Sequence, residues 1–203
     1  MKLYFAPQTR AVRIAWLLEE LGLAYEIERV EFDPTTNRFF QQATPLGKLP
    51  TLEDGDVLMC ESGAITEYIL ERYAEGRLAP AIGDPARAAY LQWLHFAEGT
   101  AFPPVGIVVW LARYRGEQDD PAVAQIIADA RERAAAAFDF LERGLGAGPW
   151  VLGEAFSGAD IMLGFTLVAG RIFGILDPAR HPLTDAYLDR LTGRPAFKTA
   201  AAL

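Results

Sequence analysis

Over its first 76 residues the chain alternates between strand-like and helix-like spacing of apolar positions. Lys2 to Phe5 is a short apolar run that reads as a strand. Beyond Thr9, Ile14, Leu17, Leu18 and Leu21 fall at i, i+3, i+4 and i+7, which predicts one helical face, and Gly22 follows as its stop. Tyr25 to Val30 alternates as a strand, and Thr35 to Ala43 predicts a weaker helix. Pro50 to Glu53 and Val57 to Cys60 flank Asp54-Gly55-Asp56, a hairpin signal. From Ser62 onward Ile65, Ile69 and Tyr73 share a helical face that Gly76 closes. Parallel strands joined by helices and finished by a hairpin predict a compact α/β layer.

The segment that follows is rich in Gly and Pro and unpatterned, so residues 77–85 read as a linker between an α/β domain, 1–76, and an all-helical domain, 86–203. Asp84-Pro85 and Asp120-Pro121 each read as an N-cap followed by Pro at the first helical position. Val123, Ile127, Ala130, Ala134, Ala137 and Leu141 form one stripe. In "FSGADIMLGF" Ser157 and Asp160 predict a capping box, with Phe156 and Ile161 as its hydrophobic staple. The helix after it is apolar nearly all round, so it should be the centre of the second domain.

Composition narrows the function classes. Hydrophobic residues are 51% and charged residues 23%, a globular balance. A net charge of −8 argues against nucleic acid as a general partner, since phosphate backbones need clustered Lys and Arg. One cysteine, Cys60, rules out an internal disulfide framework, and with only His95 and His181 no metal site is expected. Arg10 and Arg13 precede any long apolar run, so no signal peptide is expected. The apolar tract Ile161–Gly170 is too short to span a bilayer. These features predict a cytoplasmic chain with no membrane partner.

Three places carry candidate chemistry. Tyr4, Thr9 and Arg10 lie at a strand-to-helix turn without any sulfur. Leu49-Pro50 stands just ahead of a strand, where a cis bond would turn the Leu49 backbone outward to pair with an extended peptide; an ordinary trans Pro fits equally. Glu61-Ser62 stands where a strand becomes a helix, offering free N–H groups to an anion and a carboxylate to an ammonium, or else a plain N-cap. Cys60 reads as a buried structural thiol, and His95 as a satisfied helix residue. A Pro pair, Pro103-Pro104, must bend its helix or free its carbonyls.

Taken in order, "PLGKLPTLEDGDVLMCESGAITEYI", "FSGADIMLG", "TRAVRIAWLLEELGLAYE" and "QWLHFAEGTAFPP" resemble the cytosolic glutathione transferases over essentially the whole chain, and a bacterial and fungal branch in particular. The resemblance implies a thioredoxin-like glutathione-binding domain, an all-helical second domain and a homodimer. It implies glutathione as co-substrate: Glu61 and Ser62 at the γ-glutamyl end, Leu49 and Pro50 at the cysteinyl unit, Lys48 at the glycyl carboxylate. It also implies an apolar co-substrate pocket shaped by Phe102, Pro103 and Trp110.

The turn's missing sulfur would then belong to glutathione. Lowering a thiol pKa of ~8.5 by about two units takes roughly 2.7 kcal/mol of preferential anion stabilisation. A hydroxyl, a helix dipole and a cation together are of that order. Thr9 stands where the related branch places its serine, Tyr4 stands at the register of the tyrosine-type classes, and Arg10 supplies the cation; backbone donors alone are the third option. Ala6 before Pro7 departs from the serine pattern, and the absence of a cysteine in the turn disfavours dethiolation and isomerase chemistry. The expected activity is thiolate transfer to a small electrophile, or hydroperoxide reduction, with a non-catalytic scaffold as the alternative.

Overall fold

The first strand shows how the alternation is used. In the computed structural model, which describes residues 1–33, 38–39, 44, 46–114 and 120–203, β1 (Lys2–Phe5) buries Leu3 and Phe5 and leaves Lys2 and Tyr4 half-exposed. Helix α1 (Ala11–Leu21) follows, with the expected face of Ile14, Leu17, Leu18 and Leu21 inside. Ala11 to Leu18 are all buried, so α1 is covered on every side rather than on one face. Gly22 ends it at φ 67°, a left-handed conformation open to glycine, with the Leu23 N–H reaching back to the Leu18 carbonyl at 3.0 Å.

Strand β2 (Glu26–Arg29) pairs parallel to β1. Two short strands, β3 (Phe32–Asp33) and β4 (Arg38–Phe39), pair with one another. Arg38 and Phe39 are therefore strand where a helix over Thr35–Ala43 was expected; the rest of that prediction lies outside the described residues. Strands β5 (Thr51–Asp54) and β6 (Val57–Cys60) form the hairpin around Gly55, and β5 runs antiparallel to β1. The sheet order is β2-β1-β5-β6, a thioredoxin-like layer that leads into α2 (Ser62–Tyr73). Tyr68 and Tyr73 of α2 both donate to the Asp54 carboxylate, tying the helix to the hairpin turn.

The chain divides into two compact units, Met1–Ala81 with Thr192–Leu203, and Ile82–Leu191. Helix α8 (Pro195–Ala201) thus belongs with the first unit, a correction to the expectation that 86–203 forms one helical domain. Its packing surface is α1: Phe197 meets Trp16 edge-on at 5.0 Å, and Arg194 forms a two-pronged bond to Glu20 at 2.6 and 2.7 Å.

The second unit is helical: α3 (Arg87–Phe96), a π-helical turn (Ala97–Ala101), α4 (Phe102–Tyr114), α5 (Pro121–Gly144), α6 (Gly158–Ile172) and most of α7 (Pro182–Gly193). The run Arg87–Ala112, unlike the shorter tract Ile161–Gly170, is long and apolar enough to cross a bilayer by length and composition. It packs against α5 and α6 and buries Val105 and Val108, while Ile107 and Trp110 stay exposed. The Pro pair does not break the helix, which continues from the π turn into α4. The π turn ahead of it lets Ala97's carbonyl accept from the Phe102 N–H, and the Thr166 hydroxyl donates to the same oxygen at 3.3 Å. Asp120 caps α5 by accepting from the Ala122 N–H at 2.9 Å. Helix α6 is the buried centre, as its composition predicted, and Asp160 in its first turn accepts from the Ser157 N–H and hydroxyl, the Val151 N–H and the Tyr187 hydroxyl.

Candidate functional site

Strand register gathers the first unit's candidate residues. Tyr4 pairs with Thr51, and Thr51 pairs with Cys60. Three chain segments therefore emerge at one end of the sheet: β1 running out into residues 6–10, residues 48–50 running into β5, and β6 running out into Glu61-Ser62. Two of them enter helices, so the N-termini of α1 and α2, with their unpaired N–H groups and positive dipole ends, serve the same sheet end.

Each member has a definite place. The Leu49–Pro50 bond is cis, Leu49 and Pro50 are buried, and Lys48 beside them is exposed. Glu61 is exposed and holds φ 72° with ψ 108°, a strained conformation for a residue with a side chain. Such strain persists only where the surroundings enforce it, and here it turns the chain from β6 into α2. Ser62 is buried, and its Oγ accepts from Nη1 of Arg13 at 3.1 Å.

At the first turn, Gln8 adopts φ 59° and reverses the chain. Thr9, half-buried, donates its hydroxyl to the Ala6 carbonyl at 2.7 Å and accepts weakly from the Ala11 N–H at 3.3 Å. The same residue's carbonyl accepts from the Val12 N–H, so Thr9 closes the start of α1. Arg10 is half-buried at the N-cap. Tyr4 lies on the opposite face of β1 from Leu3 and Phe5, and its hydroxyl donates to Glu53 at 2.8 Å. That hydrogen bond, with burial next, raises the Tyr4 pKa. Glu53 also lies 3.6 Å from Lys2, so Tyr4 belongs to a polar cluster on the sheet face.

Cys60 is half-buried and not fully enclosed, because β6 is the edge of the four-stranded sheet; its Sγ lies 3.5 Å from the Thr51 hydroxyl. In the second unit, His95 is exposed on α3. Helical geometry separates the three candidate pocket residues of α4. Phe102 turns toward α6, its ring 6.0 Å from that of Phe165, whereas Pro103 and Trp110 share the exposed side with Ile107.

Arg13 is the residue that pattern reading passed over. Its signal was present: one cation inside the apolar run Ala11–Leu18, which burial would tolerate only with a partner.

Comparison with known proteins agrees with this architecture. The family profile "Glutathione S-transferase, N-terminal domain" matches residues 1–71, and "Glutathione S-transferase, C-terminal domain" matches residues 124–197. The glutathione S-transferase-like protein OpS6 of Beauveria bassiana is 31% identical across 94% of this chain and 88% of its own. Glutathione S-transferase 3 of Zea mays is 30% identical across 100% and 94%. Among solved structures, a glutathione transferase family member from Pseudomonas fluorescens Pf-5, described with two glutathione molecules bound, superposes with a TM-score of 0.83 at 28% identity, covering 98% of this chain and 91% of its own. With both family profiles matched in order and relatives spanning nearly its full length, this chain belongs to the glutathione S-transferase family.

Proposed function

We propose that this protein binds glutathione at the shared sheet end and stabilises its thiolate there for transfer to a small electrophile. The observation that carries the reading is the convergence of Leu49-Pro50, Glu61-Ser62 and the α1 turn through the register of β1, β5 and β6. The glutathione described in the Pseudomonas fluorescens relative supports it. Glu61 takes the γ-glutamyl ammonium, and Ser62 with the α2 N-terminus takes the adjoining carboxylate. The Leu49 backbone pairs with the cysteinyl unit, and Lys48 faces the glycyl carboxylate. The cysteinyl sulfur then falls to the α1 turn, where the helix dipole, Arg10 and hydroxyl or backbone donors favour the anion.

Thiolate attack on an electrophilic carbon displaces a leaving group or opens a strained ring. Attack on a hydroperoxide oxygen releases the alcohol and leaves a sulfenic acid, which a second glutathione converts to the disulfide and water. The exposed side of α4, with Pro103 and Trp110, is the surface proposed for an apolar co-substrate, flanked by Phe102. We assign the protein a cytoplasmic, homodimeric state; light scattering at micromolar concentration should give about twice the chain mass of 22.3 kDa, and a monomeric mass overturns the dimer.

One observation favours a second reading, binding without catalysis: the Thr9 hydroxyl hydrogen is engaged by Ala6. Calorimetric glutathione titration beside a panel of aryl halides, epoxides and hydroperoxides separates the two. Binding with turnover supports the transferase, binding without turnover supports the scaffold, and absence of binding overturns both.

A further inference from the structure

Arg13 is wholly buried in α1, three residues beyond Arg10, and reaches across to the first residue of α2. Its guanidinium can only donate, so in the 3.1 Å contact the Ser62 oxygen must accept. A hydroxyl that accepts from one side turns its own hydrogen elsewhere. We propose that Arg13 is a positioning residue for the γ-glutamyl carboxylate: it holds Ser62 Oγ as acceptor on the protein side, so that the Ser62 O–H is presented to the ligand as a donor. This inference rests on the reading that Glu61 and Ser62 hold the γ-glutamyl end of glutathione.

Three features of the geometry make the role specific. Ser62 is 3% exposed, so its rotamer is set by packing and by Arg13 rather than by water. Arg13 sits in a run of apolar neighbours from Ala11 to Leu18, where a charge is costly unless it is paired. The contact also places a fixed positive charge behind the N-terminus of α2, adding to the helix dipole at the place proposed for a carboxylate. Glu61, held at positive φ beside it, carries the opposite charge on the exposed side. The pair therefore sorts the two charges of an α-amino acid end: carboxylate toward Ser62 and ammonium toward Glu61.

The test compares glutathione with 4-aminobutyryl-cysteinyl-glycine, which keeps the ammonium and the rest of the tripeptide and lacks only the γ-glutamyl α-carboxylate. Calorimetry on the full-length protein should show the wild type preferring glutathione by about ten- to a hundredfold, the scale of a lost charge-assisted hydrogen bond. Arg13→Met, which keeps the length and removes the donors, should lower affinity for glutathione by about tenfold or more and leave the analogue within about twofold. Ser62→Ala should show the same selectivity loss. A residue that merely supports the fold would weaken both ligands alike, and that result overturns the proposal, as does an unchanged preference in Arg13→Met. Where Arg13→Met fails to fold, Arg13→Lys takes its place; the ammonium lacks the planar fork, and its preference should fall by at least about threefold. Wild-type preference in that variant overturns the proposal. If the wild type binds both ligands equally, the placement of the γ-glutamyl end at Glu61-Ser62 fails first, and Arg13 loses its role with it.

Discussion

Thr9 gives its hydroxyl hydrogen to the Ala6 carbonyl, and Tyr4 gives its own to Glu53. For Thr9 to serve a bound thiolate, its O–H must rotate from Ala6 to the sulfur, an exchange of one acceptor for a charged and stronger one. Thr9→Ala is therefore expected to raise the pKa of bound glutathione while leaving affinity nearly intact, and Thr9→Ser to keep most of the activity. Tyr4→Phe should change little, since the phenol already has an acceptor on the sheet face. Ultraviolet titration of the bound thiolate reads all three variants. A pKa that rises in Tyr4→Phe and holds in Thr9→Ala would transfer the role to Tyr4. No movement in any variant would leave the sulfur to backbone N–H groups. Residue types at this turn were legible in the sequence, but the direction of each hydroxyl was not. It depends on Gln8 adopting a left-handed conformation and on the register that sets Tyr4 beside Glu53. Arg13 was missed because its partner Ser62 lies 49 residues away.

Helix ends show the same division between local and distant causes. Ser157 and Asp160 are three residues apart, and their capping box was readable from the sequence. That Asp160 also accepts from Val151 and Tyr187 was not, because those partners come from other parts of the fold. Asp160→Ala should therefore cost more than a simple cap. It leaves the Tyr187 hydroxyl and the Val151 N–H buried without that acceptor, and about 2–4 kcal/mol is expected in urea unfolding. A loss below 1 kcal/mol would show that water replaces the carboxylate.

Helix α7 is capped from outside its own sequence. Glu142 of α5 accepts from the Leu183 and Thr184 N–H groups at 2.9 and 2.7 Å and from the Thr184 hydroxyl at 2.7 Å. Burial pushes the Glu142 carboxyl up, and these hydrogen bonds outweigh it, so its pKa lies below the ordinary value. Asp139, one turn earlier, is also lowered, first by its bond from Arg180. A carboxylate with a depressed folded pKa contributes stability above its unfolded pKa, about 4.3 for Glu, and loses it as pH falls through the folded value. Glu142→Gln should thus be less stable than wild type at pH 7, with the difference closing as pH drops below about 4. Urea unfolding at both pH values checks the sign, and a gap that widens in acid would contradict it.

At the scale of the whole molecule, the thioredoxin-like unit is made from both ends of the chain. No short-range pattern could announce this: α8 is seven residues long, and its partner α1 lies more than 170 positions away. Helix α1 is enclosed jointly by β1, α2 and α8, and α8 brings to it contacts from the far end of the chain. The joint has a polar core. Glu20 is 10% exposed and accepts from the Trp16 indole at 2.8 Å as well as from both prongs of Arg194. Arg194→Ala would leave that carboxylate half-enclosed with the indole alone and remove the pin beside the Trp16–Phe197 contact. An expected loss of about 1–3 kcal/mol reflects partial exposure of the pair, between the values for surface and buried ion pairs. Since Thr9, Arg10 and Arg13 lie at or near the start of α1, loosening α8 should also reach the proposed glutathione site. Hydrogen exchange on the full chain should speed up in α1 in Arg194→Ala and stay unchanged in α5 and α6, while glutathione affinity should fall and the pKa of its bound thiolate should rise, because the start of α1 is proposed to serve both. A double-mutant cycle with Glu20→Gln should recover most of the loss, because the charge left behind is then gone. Uniform acceleration across both units, or no acceleration in α1, would show that the C-terminal helix is not what holds α1 in place.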